Sequence, residues 1–132
     1  MEKIPIDKVQ EAFNAAIRRR DNRCMVKDCE LCGGQLECSH FFSVGANPAL
    51  RFYPPNAYTQ CHVHHWRHHN KAEPFYTDWM KQQHPADFER MEKMRRRYIK
   101  YSNALKAEIL QLCMFGQLDA LTSLIENLLR TY

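Results

Sequence analysis

Cys29-Glu30-Leu31-Cys32, then Ser39-His40, then Pro55-Asn56, then Cys61-His62-Val63-His64-His65-Trp66-Arg67-His68-His69: this stretch decides how the chain is read. Zinc takes four soft or borderline ligands in a tetrahedron, and two tight knuckles deliver two each. Cys29 and Cys32 form the first knuckle, Cys61 and His64 the second, and Cys24 is the main rival ligand. A helix starting near Cys61 or His62 points aligned N–H groups at the second knuckle and favours thiolate there. Such a site can stabilise a small, loop-rich fold outright. Cys38, in an expected strand, and Cys113, in an apolar helix, read as core thiols rather than ligands.

Outward from this stretch, the 132 residues suffice for one domain, or a small domain with an appendage. A net charge of +4 permits a polyanionic partner without requiring one. Cys29 and Cys32 are too close in sequence for an ordinary disulfide framework. No apolar core of a secretory signal follows the N-terminus, and no run approaches a membrane span. The expectation is a reduced, cytoplasmic protein with metal-bound thiolates and no membrane partner.

Ile6, Val9, Phe13 and Ile17 recur at helical spacing, so residues 5–20 are expected to be helical, ending in Arg18-Arg19-Arg20. Gly33-Gly34 marks a turn, and strands are expected at 36–42 and 50–53, the second broken by Pro54-Pro55. The knuckle helix should run to about Lys71. Pro74 opens a helix over 74–83, and Pro85 opens a charged helix to about Tyr101. Ser102 or Asn103 caps a last apolar helix, interrupted at Gly116 and re-capped near Asp119. The resulting organisation is an N-terminal helix (1–22), a zinc-knuckle core (23–84) and a helical C-terminal extension (85–132). The fold class is α+β.

The order His40, Asn56, His65 around a zinc knuckle resembles the HNH endonucleases, with their ββα-metal fold. More narrowly, Ser39-His40-Phe41-Phe42-Ser43-Val44-Gly45-Ala46, Leu50-Arg51-Phe52, Pro55-Asn56 and Gln60-Cys61 are similar to the phage lambda NinG (Rap) recombination proteins. The resemblance covers roughly residues 24–80. It implies a nuclease acting on branched DNA, such as four-way junctions, in phage or prophage recombination inside a bacterial host. The implied products carry 5′-phosphate and 3′-hydroxyl ends. It also implies that Asn56 constrains the geometry around the base histidine.

The residue chemistry agrees. Phosphodiester hydrolysis needs a base for water, a group that orients the base, and a cation for developing negative charge. His40 is the candidate base, since a histidine titrating near neutrality can take a proton from water. His65 directly follows His64, so the helix turns it to another face. His69 is one turn on from His65, and the two can share one metal: Mg2+, Mn2+ or Zn2+. Many HNH enzymes carry a metal-binding acid immediately before the base histidine, where this chain has Ser39. The metal then rests on His65 and His69 with waters, or Glu37 reaches in. Glu37 and Ser39 share a strand face, while His40 points to the other. The bland alternative is a solvated, histidine-rich helix with adventitious metal affinity. His62 and His68 read as solvent-facing or phosphate-contacting, and His84 as a helix-end residue.

Arg18, Arg19, Arg20, Arg23, Arg51, Arg95, Arg96 and Arg97 are candidate phosphate contacts, because guanidinium grips phosphate in a bidentate way. Glu89 and Glu92 can neutralise part of the later cluster. Trp79, Phe75, Tyr76 and Met80 are expected to pack the knuckle helix. Leu105, Ile109, Leu112, Cys113, Leu118, Leu121, Leu124, Ile125, Leu128 and Leu129 make a broad apolar stripe. It either packs on the N-terminal helix or forms a homodimer interface. Three functions compete: a metal-dependent DNA endonuclease, a zinc-stabilised DNA-binding recombination accessory protein without cleavage, and an interaction protein that works through its leucine-rich tail.

Overall fold

The computed structural model describes residues 2–27, 31–70 and 74–130. Among these are six α-helices and one two-stranded antiparallel sheet. Helix α1 (Ile6–Asp21) buries Val9, Phe13, Ala16 and Ile17, the face anticipated from helical spacing. Its C-terminus is stopped at Asn22, which adopts a left-handed conformation (φ 54°) and returns its N–H to the Arg18 carbonyl.

Strand β1 (Leu36–His40) pairs with β2 (Ala57–Cys61), with Glu37 opposite Gln60 and His40 opposite Ala57. The second strand therefore follows Asn56 instead of occupying 50–53. Pro48 and Pro54 each open a 3-10 turn, Pro48–Leu50 and Pro54–Asn56, and these turns bring the chain back alongside β1. The β-favouring Tyr58 and Thr59 lie beyond them.

Helix α2 (His62–Asn70) leaves β2 directly, followed by α3 (Phe75–Gln83) and α4 (Pro85–Met94). Lys71, the expected end of the knuckle helix, lies outside the described residues. Helix α4 stops well short of Tyr101. A non-helical segment there buries Ile99, sets Tyr101 edge-on to Phe52 with ring centroids 5.2 Å apart, and lets the Tyr101 hydroxyl donate to the Pro48 carbonyl at 2.7 Å. A helix would turn residues 99 and 101 to different sides, whereas an extended chain points both one way.

Ser102 caps α5 (Asn103–Met114), its hydroxyl accepting from the Leu105 N–H at 3.1 Å. Gly116 (φ 66°) breaks the helix, and α6 (Leu118–Leu128) follows, with Asp119 in its first turn. Helix α5 packs on α1, and α6 packs on α5 and on the 3-10 turn at Pro54–Asn56. Ile109, Cys113, Leu121, Ile125 and Leu129 thereby join the core that contains Phe13, Leu50, Phe52 and Tyr53. The apolar stripe is thus largely consumed within the chain; Met114, Phe115 and Leu128 remain exposed. No helix among the described residues is long and apolar enough to cross a membrane.

Candidate metal centres and the His40–Asn56 loop

The first centre lies where β2 runs into α2. Cys61 Sγ is 3.0 Å from His64 Nδ1, and Cys24 Sγ is 3.8 Å from the same nitrogen. With Cys32 Sγ, these ligand atoms all lie within 4.8 Å of one another. Zn–S bonds of about 2.3 Å and a Zn–N bond of about 2.0 Å in a tetrahedron separate ligand atoms by about 3.5–3.8 Å, so the quartet can hold a zinc ion. Backbone pairing brings Cys24 there: Met25 N–H donates to the Thr59 carbonyl at 2.7 Å, laying the segment along β2. Cys24 thus stands with Cys32, Cys61 and His64, while Cys29 lies outside the described residues.

Burial raises the Cys61 thiol. The backbone N–H groups of His64 and Gly33, together with the His64 ring, outweigh that and leave it below its ordinary value. Burial pushes Cys24 the other way. Gly34 (φ 83°) makes the turn behind Cys32, and a Cβ there would sit 2.6 Å from the His62 Cβ. Cys38 and Cys113 are buried thiols away from this cluster, as core cysteines should be. The Phe75 ring stands edge-on to His64 with centroids 5.7 Å apart and Tyr76 packs on His68, so these two back the knuckle helix as expected, whereas Trp79 packs on Tyr58 of β2 and on His84.

The second centre is a cavity of about 210 Å³ lined by Glu37, His62, His65, Trp66, His69 and Asn70. Here Glu37 does reach in. Its Oε1 accepts from His65 Nδ1 at 2.9 Å and its Oε2 from His62 Nδ1 at 3.1 Å. Desolvation works to raise the Glu37 carboxyl, but the hydrogen bonds from His65, Gln35 and His62 prevail and hold it below its ordinary value. The rings of His65 and His69 are 4.7 Å apart, centroid to centroid. His62 is engaged by this carboxylate, a role not foreseen for it. Glu37 was the acid named as able to reach in, since Ser39 offers none. His68 instead stacks toward Phe41 and Tyr76.

His40 and Asn56 form a third group. The Asn56 side chain is fully buried: Oδ1 accepts from Phe42 N–H at 2.9 Å, and Nδ2 donates to the Phe42 and Leu50 carbonyls at 3.0 and 3.3 Å. It clamps both ends of the 42–50 loop. His40 Nε2–H donates to the carbonyl of Arg51, just beyond that loop, at 3.1 Å. Its ring stacks on Phe13 with centroids 5.6 Å apart. Burial pushes His40 down to about 4; its hydrogen bond to the Arg51 carbonyl opposes this, and charge on His65, Arg51 and His69 adds to it. His40 is thus within electrostatic reach of His65 and His69, yet it does not line their cavity.

The arginines divide. Arg20 donates to the Ala57 carbonyl at 2.7 Å, pairs with Asp21 at 2.7 Å and lies over the Tyr58 ring. Arg51 donates to Gln10 Oε1 at 2.7 Å, Arg19 to the Cys113 carbonyl at 3.1 Å and Arg23 to Met25 Sδ at 3.3 Å, while Arg95 lies over Phe42. Arg18, Arg19, Arg20, Arg23, Arg96 and Arg97 are exposed, and Arg51 and Arg95 are half-buried.

The fold and its clusters define a small α+β protein whose cysteine–histidine quartet can hold a structural zinc. The chain belongs to the family described as Bacteriophage Lambda NinG protein, whose family model matches residues 2–114. No curated protein and no solved structure matches it.

Proposed function

We propose that this phage-recombination-associated protein is a metal-dependent DNA endonuclease of the HNH type, acting on branched DNA. The observation that carries the reading is the strand–strand–helix succession. It presents His40 at the end of β1, Asn56 at the entrance to β2, and His65 and His69 on the helix that leaves the zinc-competent quartet.

On this reading His40 accepts the proton of the attacking water at Nδ1, because Nε2–H is committed to the Arg51 carbonyl. Burial pushes the ring down to about 4, which keeps it neutral at physiological pH but makes it a weaker base than the near-neutral histidine expected from the sequence. Asn56 is a positioning residue: it fixes the loop whose far side supplies that carbonyl. A divalent ion at His65 and His69 would supply charge stabilisation for the phosphate and the leaving oxygen. Arg18 and Arg96 are among the exposed guanidinium groups suited to DNA phosphates.

A second reading, a zinc-stabilised DNA-binding accessory protein, draws on a specific observation: His40 is stacked on Phe13 and does not line the His65–His69 cavity. The variant His40→Ala separates the two. Its cleavage of linear and four-way DNA across a divalent-metal series should fall by at least about 100-fold, with DNA affinity held within a few-fold. Unchanged cleavage by the variant removes His40 as the base. No metal-dependent cleavage by the wild-type protein on any of these substrates favours the accessory role.

A further inference from the structure

We propose that residues 95–101, between α4 and α5, form a strap that grips unpaired nucleotides: the Tyr98 ring stacks on an open base, and Arg96 and Lys100 hold the phosphates beside it. This deepens the reading above, on which it rests for DNA as the polymer, by naming the part of a branched substrate that is held.

The strap is anchored on both sides of Tyr98. Met94 and Ile99 are buried, and the Arg97 N–H donates to the Met94 carbonyl at 2.9 Å. The Tyr101 hydroxyl donates to the Pro48 carbonyl. Between these anchors Tyr98 is 79% exposed, with Arg96 and Lys100 exposed on either side of it. Two tyrosines three residues apart thus do different things. Tyr101 turns its ring inward onto Phe52, whereas Tyr98 leaves its ring to solvent.

A single exposed aromatic is ordinary on a protein surface; what marks this one is the charge beside it. Lys93, on α4, is offset by Glu89 at 3.8 Å, but among the described residues no carboxylate pairs with Arg96 or Lys100. A protein partner would want an aromatic anchor inside an apolar, water-excluding surround. The exposed Met114 and Phe115 are instead at the other end of α5. Cations beside an open ring are how single-stranded nucleic acid is held: phosphates take the charge, and any base offers a face to the ring. In a duplex those faces are already stacked, so the ring selects unpaired nucleotides while the cations do not.

The strap also leans on the loop that Asn56 clamps. Arg95 lies 4.8 Å over the Phe42 ring, and Phe42 N–H donates to Asn56 Oδ1. A strand held by the strap is therefore held by chain that braces the His40–Asn56 group.

The test uses the full-length protein with its structural zinc and no added divalent ion, so binding is read without cleavage. Fluorescence anisotropy compares a short oligothymidylate with a blunt duplex of equal length across a salt series. Tyr98→Ala should weaken single-strand binding about 5- to 100-fold and duplex binding by no more than about twofold, with Tm unchanged. Tyr98→Phe should restore single-strand binding. Replacing Arg96 and Lys100 by alanine should weaken both and flatten the salt dependence by about one to two counterions. Wild-type single-strand affinity in Tyr98→Ala, or an equal loss on both DNAs, would overturn the proposal. Tyr98-dependent single-strand binding by a protein that cuts no DNA with any divalent metal leaves the strap standing and removes the nuclease reading. Metal-dependent cleavage of branched DNA with Tyr98→Ala equal to wild type in affinity and rate does the reverse. No binding to either DNA removes both.

Discussion

Asn56 shows how much one side chain can hold. All three of its side-chain hydrogen bonds go to backbone groups of residues 42 and 50. Asn56→Ala strands those groups in a buried setting and should cost about 3 kcal/mol in denaturant unfolding. Asn56→Asp keeps the acceptor for Phe42 N–H but turns a negative oxygen on two carbonyls, so it should recover little. His40 yields a prediction with a definite sign. Its folded value is near 4 against an ordinary 6.5, so below neutrality the unfolded chain binds the extra proton first. Its contribution is therefore intact above about pH 6.5 and is lost as pH falls toward 4. Urea unfolding across that window should show a steeper acid loss for the wild-type protein than for His40→Gln. The comparison of variants cancels any parallel loss of zinc. The sequence made His40 and Asn56 legible as partners in one motif. It could not reveal that His40 would be stacked on Phe13, because α1 lies far off along the chain. Glu37 was legible as the acid that could reach the site in place of Ser39. Its bonds to His62 and His65 depend on where α2 crosses β1.

At the scale of elements, helices were easier to place than strands. The periodic apolar face of α1, the cap at Ser102, the break at Gly116 and the prolines opening α3 and α4 all act within a few residues, so sequence carries them directly. The second strand was misplaced because Leu50-Arg51-Phe52 looks strand-like in isolation. Its apolar residues are instead buried through 3-10 and turn geometry, and the sheet's register is completed at 57–61. The end of α4 was misplaced because long-range packing of Ile99 and Tyr101 overrides local helix preference. The turn at Gly33-Gly34 couples element to site. Gly34 has φ 83°, and a Cβ there would sit 2.6 Å from the His62 Cβ, so Gly34→Ala is strained twice. It should cost about 2 kcal/mol or more and push the Cys32 arm away from Cys61. Faster zinc release to a chromogenic chelator, relative to Gly45→Ala where a Cβ meets nothing within 4 Å, is the expected readout.

Across the whole molecule, two kinds of cohesion meet. The quartet joins Cys24 and Cys32 to the β2–α2 junction, and the apolar core joins α1, α5 and α6 to the sheet. Cys61→Ser should lower the zinc content and reduce Tm by at least about 10 °C, measured by circular dichroism under reducing conditions. An unchanged Tm would mean that the quartet contributes nothing to the fold. The family match ends at residue 114, where α5 ends, yet α6 is bound into the same core. Tyr53 donates to Glu126 at 2.6 Å, and Leu121 and Ile125 are buried. Removing residues 103–132 would strip the cover from Val9, Phe13 and Ile17, so such a truncation reports on folding before it reports on assembly.

The stretch ahead of α1 is tethered to the start of α5: the Asn103 side chain accepts from Ile4 N–H at 2.7 Å, and Lys106 Nζ donates to the Ile4 carbonyl at 2.6 Å. During synthesis the first helix is therefore complete about eighty residues before its mate begins. For that interval the part of its apolar side that α5 will cover stays open, although the sheet reaches the rest sooner, which gives a nascent-chain chaperone something to hold. A host short of such help should accumulate this protein as aggregate in proportion to how slowly residues 22–102 are translated.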